Sequence, residues 1–197
     1  MTTKRPGPKF TGVDTYRDPQ GRFFFRFPSD WHRYELQDGR EGVLFSPQAA
    51  NPQTWFAAWA EDLKEHVVAE DLNVLRKGVD QGLSELKNVQ VESASDVTMG
   101  NLIKFERIFT FEDNGQTRKW KQWLLYVDHW LMVVTYQGEN PEEWEYWLPM
   151  GNYSFAFFNF PEALWFMVDR DLAAQRAKDQ TPFVDTKTPI AQAEDEE

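Results

Sequence analysis

Apolar and polar positions alternate in short runs along most of this chain, and the period turns helical in only a few places. In Arg22-Phe23-Phe24-Phe25-Arg26-Phe27 the rings of Phe23, Phe25 and Phe27 recur at every second position, the period of a strand, and Pro28 with Ser29-Asp30 ends it. Gly42 to Ser46 and Thr54 to Ala60 read as two more strands, separated by a turn region from Pro47 to Pro52. From Asp71 to Leu86 the period changes. Leu72, Leu75, Val79, Leu83 and Leu86 fall at spacings of 3, 4, 4 and 3, which places one apolar stripe along a helix. Gly78 and Gly82 interrupt it at a cost of roughly 1 kcal/mol each relative to Ala, unless they serve close packing against a sheet.

The stretch from 89 to 137 predicts more than its elements. Val89 to Val97 reads as a strand and Leu102 to Glu112 as another, followed by Asn114-Gly115, a pair suited to the two positive φ angles of a type I′ hairpin turn. With those two residues at the turn, Phe105 faces Leu124, Phe109 faces Trp120 and Arg107 faces Gln122. A second two-residue turn at Asp128-His129 sets Leu124 opposite Val133, Tyr126 opposite Leu131 and Gln122 opposite Thr135. Apolar residues meet apolar ones across three strands in these registers. One face of this meander carries Phe105, Phe109, Trp120, Leu124 and Val133, and the other Trp123, Leu125, Met132 and Val134, so both faces need a cover. Asn140-Pro141-Glu142-Glu143 is a helix start, with Asn as N-cap, Pro in the first turn and acids beside the positive end of the dipole. Trp144, Trp147 and Leu148 follow, and Pro149 is expected to kink or end that helix. Asn159-Phe160-Pro161-Glu162 opens a further helix, to about Lys178. The expected fold class is α+β: an α/β/α sandwich, with an antiparallel sheet covered by helices on both faces.

The segment Phe23 to Trp31, FFFRFPSDW, resembles the opening of the PsbP-like superfamily, an aromatic strand followed by Pro and then Trp. The resemblance runs over about residues 16–158, through short strands, one helix, a long meander and a closing helix entered by Asn-Pro-Glu-Glu and carrying Tyr153-Ser154-Phe155. It implies the same sandwich and a mostly non-catalytic role, since members include photosystem II extrinsic subunits, a Ran-binding nucleotide-release factor and chaperones for type VI secretion effectors. It also implies that Trp31 is a plug in the core. The family has no shared catalytic motif to carry over. This chain departs from it in having no lumenal or lipoprotein leader, which weighs against a photosynthetic role, and in its extra helix and acidic tail after 159.

Composition narrows the function classes. Hydrophobic residues are 41% of the 197 and aromatics 16%, including nine Trp and sixteen Phe, enough for one large core. Lys and Arg number 21 against 32 acids, a net charge of −11, which disfavours nucleic acid and anionic membrane as partners. The absence of Cys excludes disulfides, thiol nucleophiles and Cys-ligated zinc. No apolar run reaches the ~18 residues of a membrane span, and no signal peptide follows Lys4 and Arg5, so a cytoplasmic protein is expected. Residues 1–15 read as a loose arm, 16–180 as one domain, and 181–197 as an acidic mobile tail.

Candidate chemistry is sparse. His32, His66 and His129 are scattered; Asp62 and His66 sit four apart but lack further ligands, Asp128-His129 falls in a predicted turn, and His32 is a candidate pH-sensitive contact. No phosphate-binding glycine loop or nucleophile elbow is present. No catalytic residue, cofactor or metal is therefore expected. Two features remain. Arg107, Gln122 and Thr135 form a polar row across an apolar face, either at its rim or as the floor of a pocket or partner groove. The segment from Trp144 to Phe166 holds ten aromatic residues, mostly core, some of them available to a partner. The expected function is a non-enzymatic protein-binding module that docks a partner or self-associates, with Trp123, Trp144 and Trp147 as candidate contacts. The alternatives are a small-ligand protein or enzyme with its pocket over Arg107, and a chaperone for apolar helices of secreted effectors.

Overall fold

The computed structural model of the chain describes residues 5–36 and 39–168. Nine strands and three α-helices are present among them. In chain order they are β1 (Val13–Arg17), β2 (Phe24–Pro28), β3 (His32–Tyr34), β4 (Gly42–Ser46), β5 (Trp55–Asp62), α1 (Leu72–Ser84), β6 (Gln90–Met99), β7 (Leu102–Asp113), β8 (Gln116–Val127), β9 (Trp130–Gly138), α2 (Pro141–Ala156) and α3 (Glu162–Val168). Seven strands form one sheet in the order β3-β4-β5-β9-β8-β7-β6, and β1 and β2 pair separately. Every pairing is antiparallel.

The meander adopts the expected registers. Phe105 pairs with Leu124, Phe109 with Trp120 and Arg107 with Gln122, then Leu124 with Val133, Tyr126 with Leu131 and Gln122 with Thr135. Asn114, Gly115 and Asp128 all have positive φ, as the tight turns demand. Each face then builds its own core. Leu125, Met132, Val134 and Tyr136 pack with Phe56, Trp144, Met150 and Phe155 beneath α2, joined by Tyr16, Phe23 and Phe25 of the smaller sheet and its approach. On the opposite face Ile103, Phe105, Phe109 and Tyr126 pack with Val79 and Leu83 of α1.

Several expectations need correction. Val13 to Thr15, read as part of a loose arm, belong to β1, which the buried Tyr16 anchors beside Phe25 and Phe45. Arg5 and Phe10 also lie along α2, Arg5 pairing with Glu143 at 2.6 Å and the Phe10 ring packing tilted on Tyr153 with centroids 4.8 Å apart. The strand predicted from Arg22 begins at Phe24, because Arg22 closes the preceding turn by a bidentate pair with Asp18 at 2.7 and 2.8 Å. Pro149 does not end α2. It is exposed, so the Glu145 carbonyl it leaves without an intrahelical partner faces the solvent side, and the buried Met150, Ser154 and Phe155 hold the remaining turns on the core. Asn140 caps that helix as expected, accepting from the Glu143 N–H at 2.9 Å. Of the helix expected to reach Lys178, Glu162–Val168 is described; the rest, and the tail 181–197, lie outside the described residues.

The two glycines of α1 do not serve close packing either. A Cβ built on Gly78 or Gly82 would meet nothing within 4 Å, whereas one on Gly138 would lie 2.3 Å from the Trp144 backbone. Gly78→Ala and Gly82→Ala are therefore expected each to stabilise the protein by about 1 kcal/mol, read as a higher denaturation midpoint at unchanged slope. A lower midpoint would show that α1 depends on those glycines.

Candidate functional site

The polar row forms in the expected register, and its members bond to one another and to neighbouring acids. Arg107 lies on the α1 face of β7 between Phe105 and Phe109, and is only 4% exposed. Its guanidinium turns towards the sheet edge. Nη1 donates to Asp96 Oδ1 at 2.6 Å and to the carbonyl of Glu106 at 3.0 Å, and Nη2 stands 3.7 Å from Asp80. Arg76 of α1 reaches the same carboxylate, Nε to Asp96 Oδ2 at 2.6 Å. One carboxylate thus ties α1, β6 and β7 together through two guanidinium groups. Gln122 and Thr135 satisfy each other at 3.2 Å. Burial alone would raise the Asp96 pKa, but the hydrogen bonds from Arg107 and Arg76 outweigh it and hold the carboxyl below its ordinary value.

The candidate tryptophans are mainly structural. Trp144 is 3% exposed, so it is not a docking residue; its ring packs on Tyr136 and lies 4.1 Å from Lys119 Nζ. Trp147 is half-buried, edge-on to Trp31 with centroids 6.1 Å apart, and donates to Glu143 at 3.0 Å. Trp31 is buried, as the resemblance implied. Trp123 packs against Phe155 at 4.8 Å, lies under Lys104 Nζ at 3.8 Å and donates to Glu106. It borders the part of the α2 face that runs out towards β6.

Two of the three histidines gather at one carboxylate. His32 is exposed. His66 and His129 both approach the buried Asp128 carboxylate in the β8–β9 turn, the second at 2.9 Å, while Asp62 is bound by Lys64 instead. Among the described residues no group of three His, Asp or Glu could hold a metal ion. A cleft of about 320 Å³ opens by Tyr16, Arg33 and Leu36, but the Arg22 at its base is occupied by Asp18 and by Glu41 at 2.9 Å. A second, of about 450 Å³, lies beside it near Trp130 and Lys64, and a third, of about 220 Å³, lies between Arg17, Arg26 and Phe157. Arg107, Gln122 and Thr135 line none of the three.

The feature that sequence reasoning missed is the outer edge of β6. This strand of ten residues ends the large sheet, and all but Asp96 are exposed. Val91, Val97 and Met99 stand 48%, 47% and 50% accessible. The two-residue connection from Met99 to Leu102 makes that pair a hydrogen-bonded one, so Val97 and Ser95 also bond to β7 while Ala94, Asp96 and Thr98 direct N–H and C=O groups outward. A bulge at Glu92 interrupts the ladder near its start. The nearby charges are already paired, Asp96 as above and Glu92 with Lys119 at 2.9 Å. The signal in the sequence is the run QVESASDVTM itself, a strand poor in large apolar residues within an otherwise apolar sheet.

Against solved structures, the chain aligns with a cyanobacterial PsbP, CyanoP from Synechocystis, at a TM-score of 0.54 over 81% of this chain and 99% of that one, with 9% identity. The fold is PsbP-like. A second PsbP-like match is LpqN, involved in cell envelope biogenesis of Mycobacterium tuberculosis, with a TM-score of 0.51, 14% identity and coverage of 76% and 91%. The yeast Ran-binding protein Mog1p gives a weaker likeness, 0.48 at 11% identity over 82% and 98%. No family model matches the chain, and no curated protein matches its sequence. No helix of this PsbP-like domain, among the described residues, is long and apolar enough to cross a membrane.

Asp96→Asn is expected to cost about 3 kcal/mol, because it strips the buried Arg107 of its main counter-charge. The sign with pH follows from the depressed pKa. The contribution of Asp96 is full above the ordinary value of 3.8 and is lost as pH falls through the lower folded value, so the variant should lose less stability on acidification than the parent. Denaturation at neutral pH and near pH 3 checks both; parallel losses in the two proteins would contradict the assignment.

Proposed function

We propose that this chain is a non-enzymatic protein-binding module whose docking element is the β6 edge. The observation that carries the reading is the combination, on one long edge strand, of outward backbone groups with exposed Val97 and Met99. The described groups with chemical potential are engaged inside the scaffold: Arg107 and Arg22 in buried ion pairs, Asp128 between two imidazoles, Trp144 in the core. The edge instead offers outward N–H and C=O groups beside exposed Val97 and Met99. Extended polypeptides bind such edges by adding a strand, with the ladder supplying affinity and neighbouring apolar positions supplying selectivity. The PsbP-like fold is compatible with this role and does not by itself specify a partner.

The reading predicts that a complex isolated gently from the native host depends on the edge. Native mass spectrometry of the parent should show added polypeptide mass, either another chain or a second copy. Val97→Arg combined with Met99→Arg should lose that mass while keeping the parent's thermal stability, since both residues lie outside the core. Retention of the same complex by this variant, or a small-molecule adduct in place of a polypeptide, would overturn the proposal.

A further inference from the structure

Resting on the reading of β6 as a docking edge, we propose that its occupant is a second copy of this chain, paired antiparallel through β6 into one continuous sheet of 14 strands, twice the seven of a single chain. The argument is that the strand complements itself. With the outward positions Ala94 and Asp96 as the hydrogen-bonded pairs, the two-fold axis passes between two facing Ser95 residues. Ala94 then faces Asp96 of the second copy, and Ser93 faces its Val97. The centre of this pairing holds Ala94, Ser95 and Asp96, none of them aromatic or β-branched, so no bulky ring or branched side chain crowds the axis.

Charge favours the same arrangement. Net charge works against self-association of this chain, so a contact between copies needs a locally neutral edge. β6 has one. The two Asp96 carboxylates come close across the axis, but each is already held by Arg107 and Arg76 at 2.6 Å. Each Glu92 is held by Lys119 and lies towards the far end of the paired segment. A partner segment of opposite charge would find little net negative charge here to attract it. The contact is short, about seven residues on each strand, and belongs to the small, weak end of interface sizes.

Because the chain contains no cysteine, one introduced thiol reports the register without background. Facing Ser95 residues form a non-hydrogen-bonded pair with Cα atoms about 4.5 Å apart, inside the range that a disulfide spans. Ser95→Cys is expected to give a covalent dimer on mild oxidation at micromolar concentration, while Ser84→Cys, exposed on α1, stays monomeric. Ala94→Pro in the Ser95→Cys background should abolish the crosslink, because the Ala94 N–H lies outside the β6–β7 ladder and its loss affects only the added strand. Ala94→Glu, which keeps the backbone N–H and sets a carboxylate opposite Asp96 of the second copy, should do the same and carries the test if the proline variant unfolds by circular dichroism. Crosslinking of Ser95→Cys no better than that of Ser84→Cys, or crosslinking that survives the Ala94 substitutions, overturns self-pairing. Failure here, with a heterologous complex still lost on Val97→Arg and Met99→Arg, would leave the docking edge standing with a different occupant.

Discussion

The architecture depends on a sheet that is apolar on both faces and so must be covered twice. Tyr136 shows how strict the cover is. The side chain is fully buried, donates its hydroxyl to the Trp144 carbonyl at 2.8 Å, and packs so tightly that a Cβ on Gly151 would lie 2.9 Å from its ring. Burial raises its pKa far above the usual phenol value, which keeps it neutral and a donor. Gly138 lets the first turn of α2 lie against the end of β9, Tyr136 fixes its height, and Gly151 lets the later turns close down. The helix sits where it does because three positions of the sheet and helix admit one another and nothing larger.

Legibility from sequence followed the range of the forces involved. The β7–β8–β9 registers were readable because two short turns and cross-strand apolar pairing specify them locally. The cap of α2 was readable for the same reason, since Asn140 and Pro141 act within one turn. β1 and β3 were not read as strands. Tyr16 is the single buried position in β1, and β3 is three residues long, so neither carries a periodic signal of its own. Their strand character comes from the partners they meet, β2 and β4.

The candidate site was legible in its parts and not in its meaning. Arg107, Gln122 and Thr135 align as expected, yet the direction of the guanidinium is decided by Asp96 on a neighbouring strand and Arg76 on a helix, a contact no spacing rule displays. Trp144 and Trp147 look alike in a helix start rich in aromatics, and only the position of Gly138 opposite the first of them makes it core. The edge position of β6 is a property of sheet order. Its composition marks it as an unusual strand, but its location could be known only once the other six were in place.

The ion pairs at Arg107 have a consequence for motion. β6 contributes almost no apolar surface to either core, so its attachment rests on one hydrogen-bonded ladder and on the carboxylate of Asp96 gripped from two sides. Phe105 and Phe109, directly inside it, stay sealed by α1. Opening of the edge strand therefore exposes little apolar surface and is opposed chiefly by its ladder and by the loss of the Asp96 carboxylate from Arg107 and Arg76. In such a fold the strand proposed as a docking edge is also the one with the least side-chain burial to lose on opening.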